Sequence, residues 1–107
     1  MLNFQRRTIT IEVDGQDVRL KELSEREAQA WHERYHDAKG RVIRKKVVEN
    51  RAMLAIMSIV DESGNQMYDE THLTEIMEEW PAGVLSRIFN EAARLSGLTD
   101  DEDMEKK

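Results

Sequence analysis

Thr8-Ile9-Thr10-Ile11-Glu12-Val13-Asp14-Gly15-Gln16-Asp17-Val18-Arg19-Leu20 is the stretch on which the fold turns. Apolar and polar residues alternate up to an Asp-Gly pair. That pair is a strong signal for a type I′ hairpin, because both central residues of such a turn need positive φ. A two-residue loop sets Val13 against Gln16, Ile11 against Val18 and Ile9 against Leu20. The apolar pairs then share one face, so pattern and turn agree on register. A lone hairpin is marginal in water. Its apolar face must pack on the rest of the chain, and its edges are open to pairing with another chain.

Beyond Leu23 the sequence reads as helix. Ser24-Glu25-Arg26-Glu27 is a capping box, with Leu23 placed to staple against Ala28. The first helix is predicted over about 24–39, with Gly40 to end it. A second is predicted over about 41–60, with Ile43, Val47, Leu54 and Ile59 toward a core. Its end, Ala52-Met53-Leu54-Ala55-Ile56-Met57-Ser58-Ile59-Val60, is almost wholly apolar. Such a helix is buried on every side or covered by a partner on one of them. Met53 and Met57 lie one turn apart, and methionine adapts its shape to irregular surfaces. Met53, Ile56, Met57 and Val60 are therefore expected to form a partner-binding surface. The alternative is the central helix of a small bundle, with Met filling gaps.

Asp61 to Asp69 reads as a turn or short second hairpin around Ser63-Gly64-Asn65. Leu73, Ile76, Met77 and Trp80 fall at helical spacing, giving a helix over about 71–79. Pro81 suits the first position of a last helix over about 81–96. Val84, Leu85, Ile88, Phe89, Ala92 and Leu95 form its stripe. Gly97 is the predicted left-handed cap and Leu98 its apolar companion. Residues 99–107 read as an acidic disordered tail, and residues 1–98 as a single domain. The predicted class is mainly α, an N-terminal β-hairpin followed by a bundle of about four helices, with α+β as the alternative.

Composition narrows the function. A chain of 107 residues has room for one small domain. It has no cysteine, hence no disulfide framework and no thiolate chemistry. No apolar run approaches membrane-spanning length, and the N-terminus lacks a signal-peptide core. The expectation is a soluble protein that stays in the cell making it. The net charge of −6 is unevenly spread. Lys39, Arg41, Arg44, Lys45, Lys46 and Arg51 form a basic block. From Asp61 to Glu79 there are seven acids and no Lys or Arg. Such polarity can align like molecules head to tail, so a homo-oligomer is one expectation, or draw a charged partner.

Three constellations invite a chemical reading. His32-Glu33-Arg34-Tyr35-His36 places two imidazoles one helical turn apart with a glutamate between, as zinc peptidases do. Zinc would need a third ligand, for which His72 and Glu49 are the nearest candidates. Arg34 and Asp37 put charge where such a helix is normally buried under its metal. Asp61 to Asp69 imitates a calcium loop. Its glycine, Gly64, stands at the fourth position instead of the sixth, and His72 takes the twelfth, where a bidentate glutamate is needed. The Lys39 to Arg51 block could contact phosphate, yet it lacks interleaved aromatics and a recognition-helix arrangement. The expectation is no catalysis, no metal and no cofactor. A zinc peptidase through His32, Glu33 and His36 and a small nucleic-acid-binding regulator are the alternatives from other classes.

A likeness to a known family covers most of the chain. Thr10-Ile11-Glu12-Val13-Asp14-Gly15 leads through Val18-Arg19-Leu20-Lys21-Glu22-Leu23 into a capped helix. Met53-Leu54-Ala55-Ile56-Met57-Ser58-Ile59-Val60-Asp61-Glu62-Ser63-Gly64-Asn65 passes from helix to loop. Ala92-Ala93-Arg94-Leu95-Ser96-Gly97-Leu98-Thr99-Asp100-Asp101 leads into further acids near the end of the chain. All three resemble tail assembly chaperones of long-tailed, siphovirus-like bacteriophages. The resemblance implies a small helical protein of the host cytoplasm, absent from the mature virion. It implies that the tape measure protein is bound and kept soluble, and that the tail tube protein assembles around it. By the same resemblance such proteins often come in a short and a frameshifted longer form, and this chain would correspond to the short one. Another phage morphogenesis protein, such as a head-to-tail connector, is the nearest alternative.

Overall fold

The computed structural model describes residues 1–98. The predicted tail, 99–107, lies outside the described residues. Strands β1 (Thr8–Val13) and β2 (Gln16–Lys21) form the hairpin. Asp14 and Gly15 have φ of 55° and 81°, as a I′ turn requires. Ile9 faces Leu20, Ile11 faces Val18 and Val13 faces Gln16. The apolar members of these pairs pack on the core.

Helix α1 (Glu25–Arg34) begins with the reciprocal capping box. The Glu27 N–H donates to Ser24 Oγ at 3.2 Å, and the Ser24 N–H donates to Glu27 Oε1 at 2.9 Å. Trp31 is buried, and its indole N–H donates to the Asn50 carbonyl at 2.9 Å. That bond ties α1 to the start of the central helix.

The first helix stops at Arg34, short of the predicted Lys39. The Asp37 carboxylate accepts from the backbone N–H groups of Lys39 and Arg41, closing an Asx-type loop around Gly40. His36 then pairs with Val42, and the Ile43 N–H donates to the Tyr35 carbonyl at 2.8 Å. Local side-chain bonding outcompetes the helix here. The predicted helix 41–60 is also divided. It becomes α2 (Arg44–Val47), α3 (Asn50–Ser58) and a strand, β3 (Ile59–Val60). β3 pairs antiparallel with β2, Leu20 opposite Ile59 and Arg19 opposite Val60. The hairpin's open edge captures two β-branched residues that suit a strand better than a helix end. The sheet order is β1-β2-β3. The architecture is therefore α+β, a three-stranded antiparallel sheet packed with helices, and not a mainly-α bundle beside a lone hairpin.

A 3₁₀ turn, Glu70–His72, leads into α4 (Leu73–Glu79), and α5 (Ala82–Leu95) follows. Pro81 stands one place earlier than predicted, at the cap of α5. A Schellman ending closes it: the Leu98 N–H donates to Ala93 O at 2.8 Å and the Gly97 N–H to Arg94 O at 3.2 Å. Helix α3 is the centre of the molecule, in contact with α1, α4 and α5. Leu54, Ala55 and Ile56 are essentially without solvent contact. Neighbours on every side explain its nearly continuous apolar sequence.

Candidate partner-binding surface

Of the nine residues from Ala52 to Val60, only Met57 keeps partial exposure. Met53, Ile56 and Val60 are 7%, 1% and 5% exposed. The run is enclosed, so these residues do not make one open apolar face in the isolated chain. They also part company. Met53, Ile56 and Met57 line a shallow depression beside Trp31 and Arg34. Val60 lies in register with Arg19, on the sheet face opposite Ile59, and lines a larger groove.

That groove has a volume of about 700 Å³. Three separate segments build it. The hairpin brings Val13 and Val18, β3 brings Val60, and α5 with the residues just before it brings Trp80, Val84 and Ile88. Tyr68 lines it beside Trp80, their rings edge to face with centroids 5.6 Å apart. The Tyr68 hydroxyl and the Trp80 indole N–H make no hydrogen bond among the described residues. Met67, 51% exposed, also lines the groove. Aromatic and methionine side chains with free polar handles are what protein interfaces favour. The rim is acidic. Asp14, Asp17, Asp61 and Glu62 stand there against a single cation among the described residues, Arg19.

A sequence model of the phage tail assembly chaperone family matches residues 1–107, the whole chain. The chain belongs to that family. Among solved structures, the bacteriophage HK97 tail assembly chaperone superimposes with a TM-score of 0.63. The match covers 84% of this chain and 85% of that one at 20% identity, a likeness of fold. No curated protein matches the chain.

The other constellations take structural places in this family member. Arg34, inside the His32 to His36 segment, donates to Glu49 at 2.7 Å and to Glu70 at 3.0 Å. Burial works against its charge, but these two carboxylates outweigh it and raise the guanidinium above its ordinary pKa. It clamps α1 to the start of α3 and to the 3₁₀ turn, so Glu49 is engaged away from the two histidines. His72 is engaged as well. Its Nδ1 accepts from the Asp69 N–H at 3.0 Å. His32 and His36 stack with ring centroids 4.2 Å apart, and His36 Nδ1 lies 2.8 Å from the His32 carbonyl. Among the described residues no three His, Cys, Asp or Glu side chains group to hold a metal ion.

Asp61 accepts from the backbone N–H groups of Ser63 and Asn65, both at 2.9 Å. Its carboxylate builds the turn, which Gly64 completes at φ 87°. In the basic block, Arg41 pairs with Asp37 and Arg51 donates to Ser86, whereas Arg44, Lys45 and Lys46 are exposed on α2. Among the described residues no helix is long and apolar enough to cross a membrane.

The groove is not visible in the sequence because its residues are far apart along the chain. Trp80 and Val84 read as ordinary members of helical stripes. The only local hint is acidity, in Asp14-Gly15-Gln16-Asp17 and Asp61-Glu62.

Proposed function

We propose that the chain is a non-enzymatic chaperone that binds the tape measure protein in the host cytoplasm. It keeps that protein soluble, promotes assembly of the tail tube around it, and leaves before the particle is complete. Family membership supports the role. The observation that carries the binding mode is the open groove between the hairpin, β3 and α5, apolar on its floor and polar at its rim. A long helical protein with apolar stripes aggregates when bare, and covering such stripes requires a groove of this character. Val60 serves as part of its floor. Met53, Ile56 and Met57 serve a second contact at the shallower depression, with Met57 the residue that reaches the partner.

Co-expression with a tape measure protein tests the proposal. The wild-type chain raises the soluble fraction of the tape measure. Val84→Asp with Met67→Asp, checked for native fold by circular dichroism, loses most of that effect. A folded double variant that solubilises as well as wild type would show the groove is not the binding surface.

A further inference from the structure

The chemistry of the groove identifies the segment it takes, on the footing that the groove is the partner-binding surface. We infer that its occupant is an amphipathic helix whose apolar stripe is bordered by Lys or Arg. Three observations lead there. The floor is apolar and aromatic, so the centre of the ligand must be apolar. The rim carries four carboxylates and one guanidinium. The carboxylates of Asp14, Asp17 and Glu62 have no ion-pair or hydrogen-bond partner among the described residues, so their charge is uncompensated. Finally, the wall offers only a short stretch of backbone to a new strand. β2 is bonded to β1 along its length and to β3 at Arg19 and Leu20, which leaves only Gln16 to Val18 as an open stretch beside the groove. The outer edge of β3 is taken by its bridge to Gln66 and by the Met67 N–H, which donates to Ile59 O. A ligand longer than that stretch must satisfy most of its own backbone, as a helix does.

Charge of this kind selects partners and speeds encounter. A helix bordered by Lys or Arg meets the rim favourably, and a helix bordered by Glu is repelled by it.

The test uses the full chain and two fluorescein-labelled synthetic helices. Both carry the same leucine stripe; one is bordered by Lys, the other by Glu. Anisotropy at low salt gives at least tenfold tighter binding for the Lys helix, and the ratio falls as salt rises. Asp14→Asn, Asp17→Asn and Glu62→Gln together reduce the ratio below threefold. Asp61 is left intact because its carboxylate builds a turn. Equal binding of the two helices, binding of neither, or an unchanged ratio in the triple variant overturns the inference. So does tighter binding of a peptide of residues 1–7, which would assign the groove to a second copy of the chain. Co-expression separates the two levels. A triple variant that solubilises the tape measure as well as wild type overturns the charge selection alone, whereas a folded Val84→Asp, Met67→Asp variant that does so overturns the groove itself.

Discussion

The Arg7 guanidinium donates to the carbonyl of Leu95 at 2.8 Å, joining positions 88 residues apart. Leu95 is the last residue of α5, where carbonyls lack helical partners and positive charge is favoured. Close by, the Leu23 N–H donates to Ser96 Oγ at 2.9 Å. The entry to the hairpin and the exit of the last helix are thus locked together. Arg7→Ala is expected to cost about 1 kcal/mol, a charged hydrogen bond discounted for the exposure of the arginine. Ser96→Ala is expected to cost about as much, by orphaning the Leu23 N–H. Urea unfolding midpoints measure both. No change in either would show that the two ends are held by packing alone.

Acid should weaken the fold through three carboxylates. Arg7, first by its backbone N–H and then by its guanidinium, holds Glu22 below its ordinary 4.5. The Arg41 N–H leads the groups that hold Asp37 below 3.8, and the Thr71 hydroxyl leads those that hold Asp69 below 3.8. Each group binds its proton less readily folded than unfolded. Their stabilisation is therefore complete above the unfolded values and is lost as pH falls through the lower, folded ones. The urea midpoint should be level from pH 7 to about 5 and drop below about pH 4. Glu22→Gln should lessen that drop. A midpoint that stays level down to about pH 3 contradicts the account.

Ser58 is fully buried, and its hydroxyl has no hydrogen-bond partner among the described residues. An orphaned buried hydroxyl costs on the order of 1 kcal/mol or more. Ser58→Ala removes the hydroxyl and keeps the small volume at the end of α3. It should raise stability by about 1 kcal/mol. A loss of stability in thermal melts would mean that the hydroxyl is bonded in solution.

The stacked histidines are dispensable in this reading. His32→Ala combined with His36→Ala should leave solubilisation of the tape measure unchanged and shift stability by less than about 1 kcal/mol, as surface changes do. Arg34→Ala, by contrast, should cost about 1–3 kcal/mol, because it breaks the clamp on Glu49 and Glu70. Zinc bound one to one in protein purified without a metal column, and lost in the double histidine variant, would restore the metal reading.

Features set by neighbours in sequence were legible. The Asp14-Gly15 turn implied the hairpin register, because a two-residue loop leaves no other pairing. The capping box at Ser24 and the Gly97-Leu98 ending were legible for the same reason: donor and acceptor lie within a few residues. The Asp37 loop was equally local, but Gly40 read as readily as the end of a helix over 24–39. Ile59 and Val60 could not be assigned from their own sequence. The same residues would extend α3 were the edge of β2 not there to pair with them.

The sequence by itself determined the hairpin, the helix caps, the apolar faces and the likeness to a phage tail assembly chaperone. Each rests on short-range bonding, or on a pattern that survives translation into structure. Only the tertiary structure decided the third strand, the enclosure of Met53, Ile56 and Val60, and the acid-rimmed groove. Burial and concavity depend on which distant segments meet, and Val13, Val60 and Val84 become neighbours only when the chain has folded.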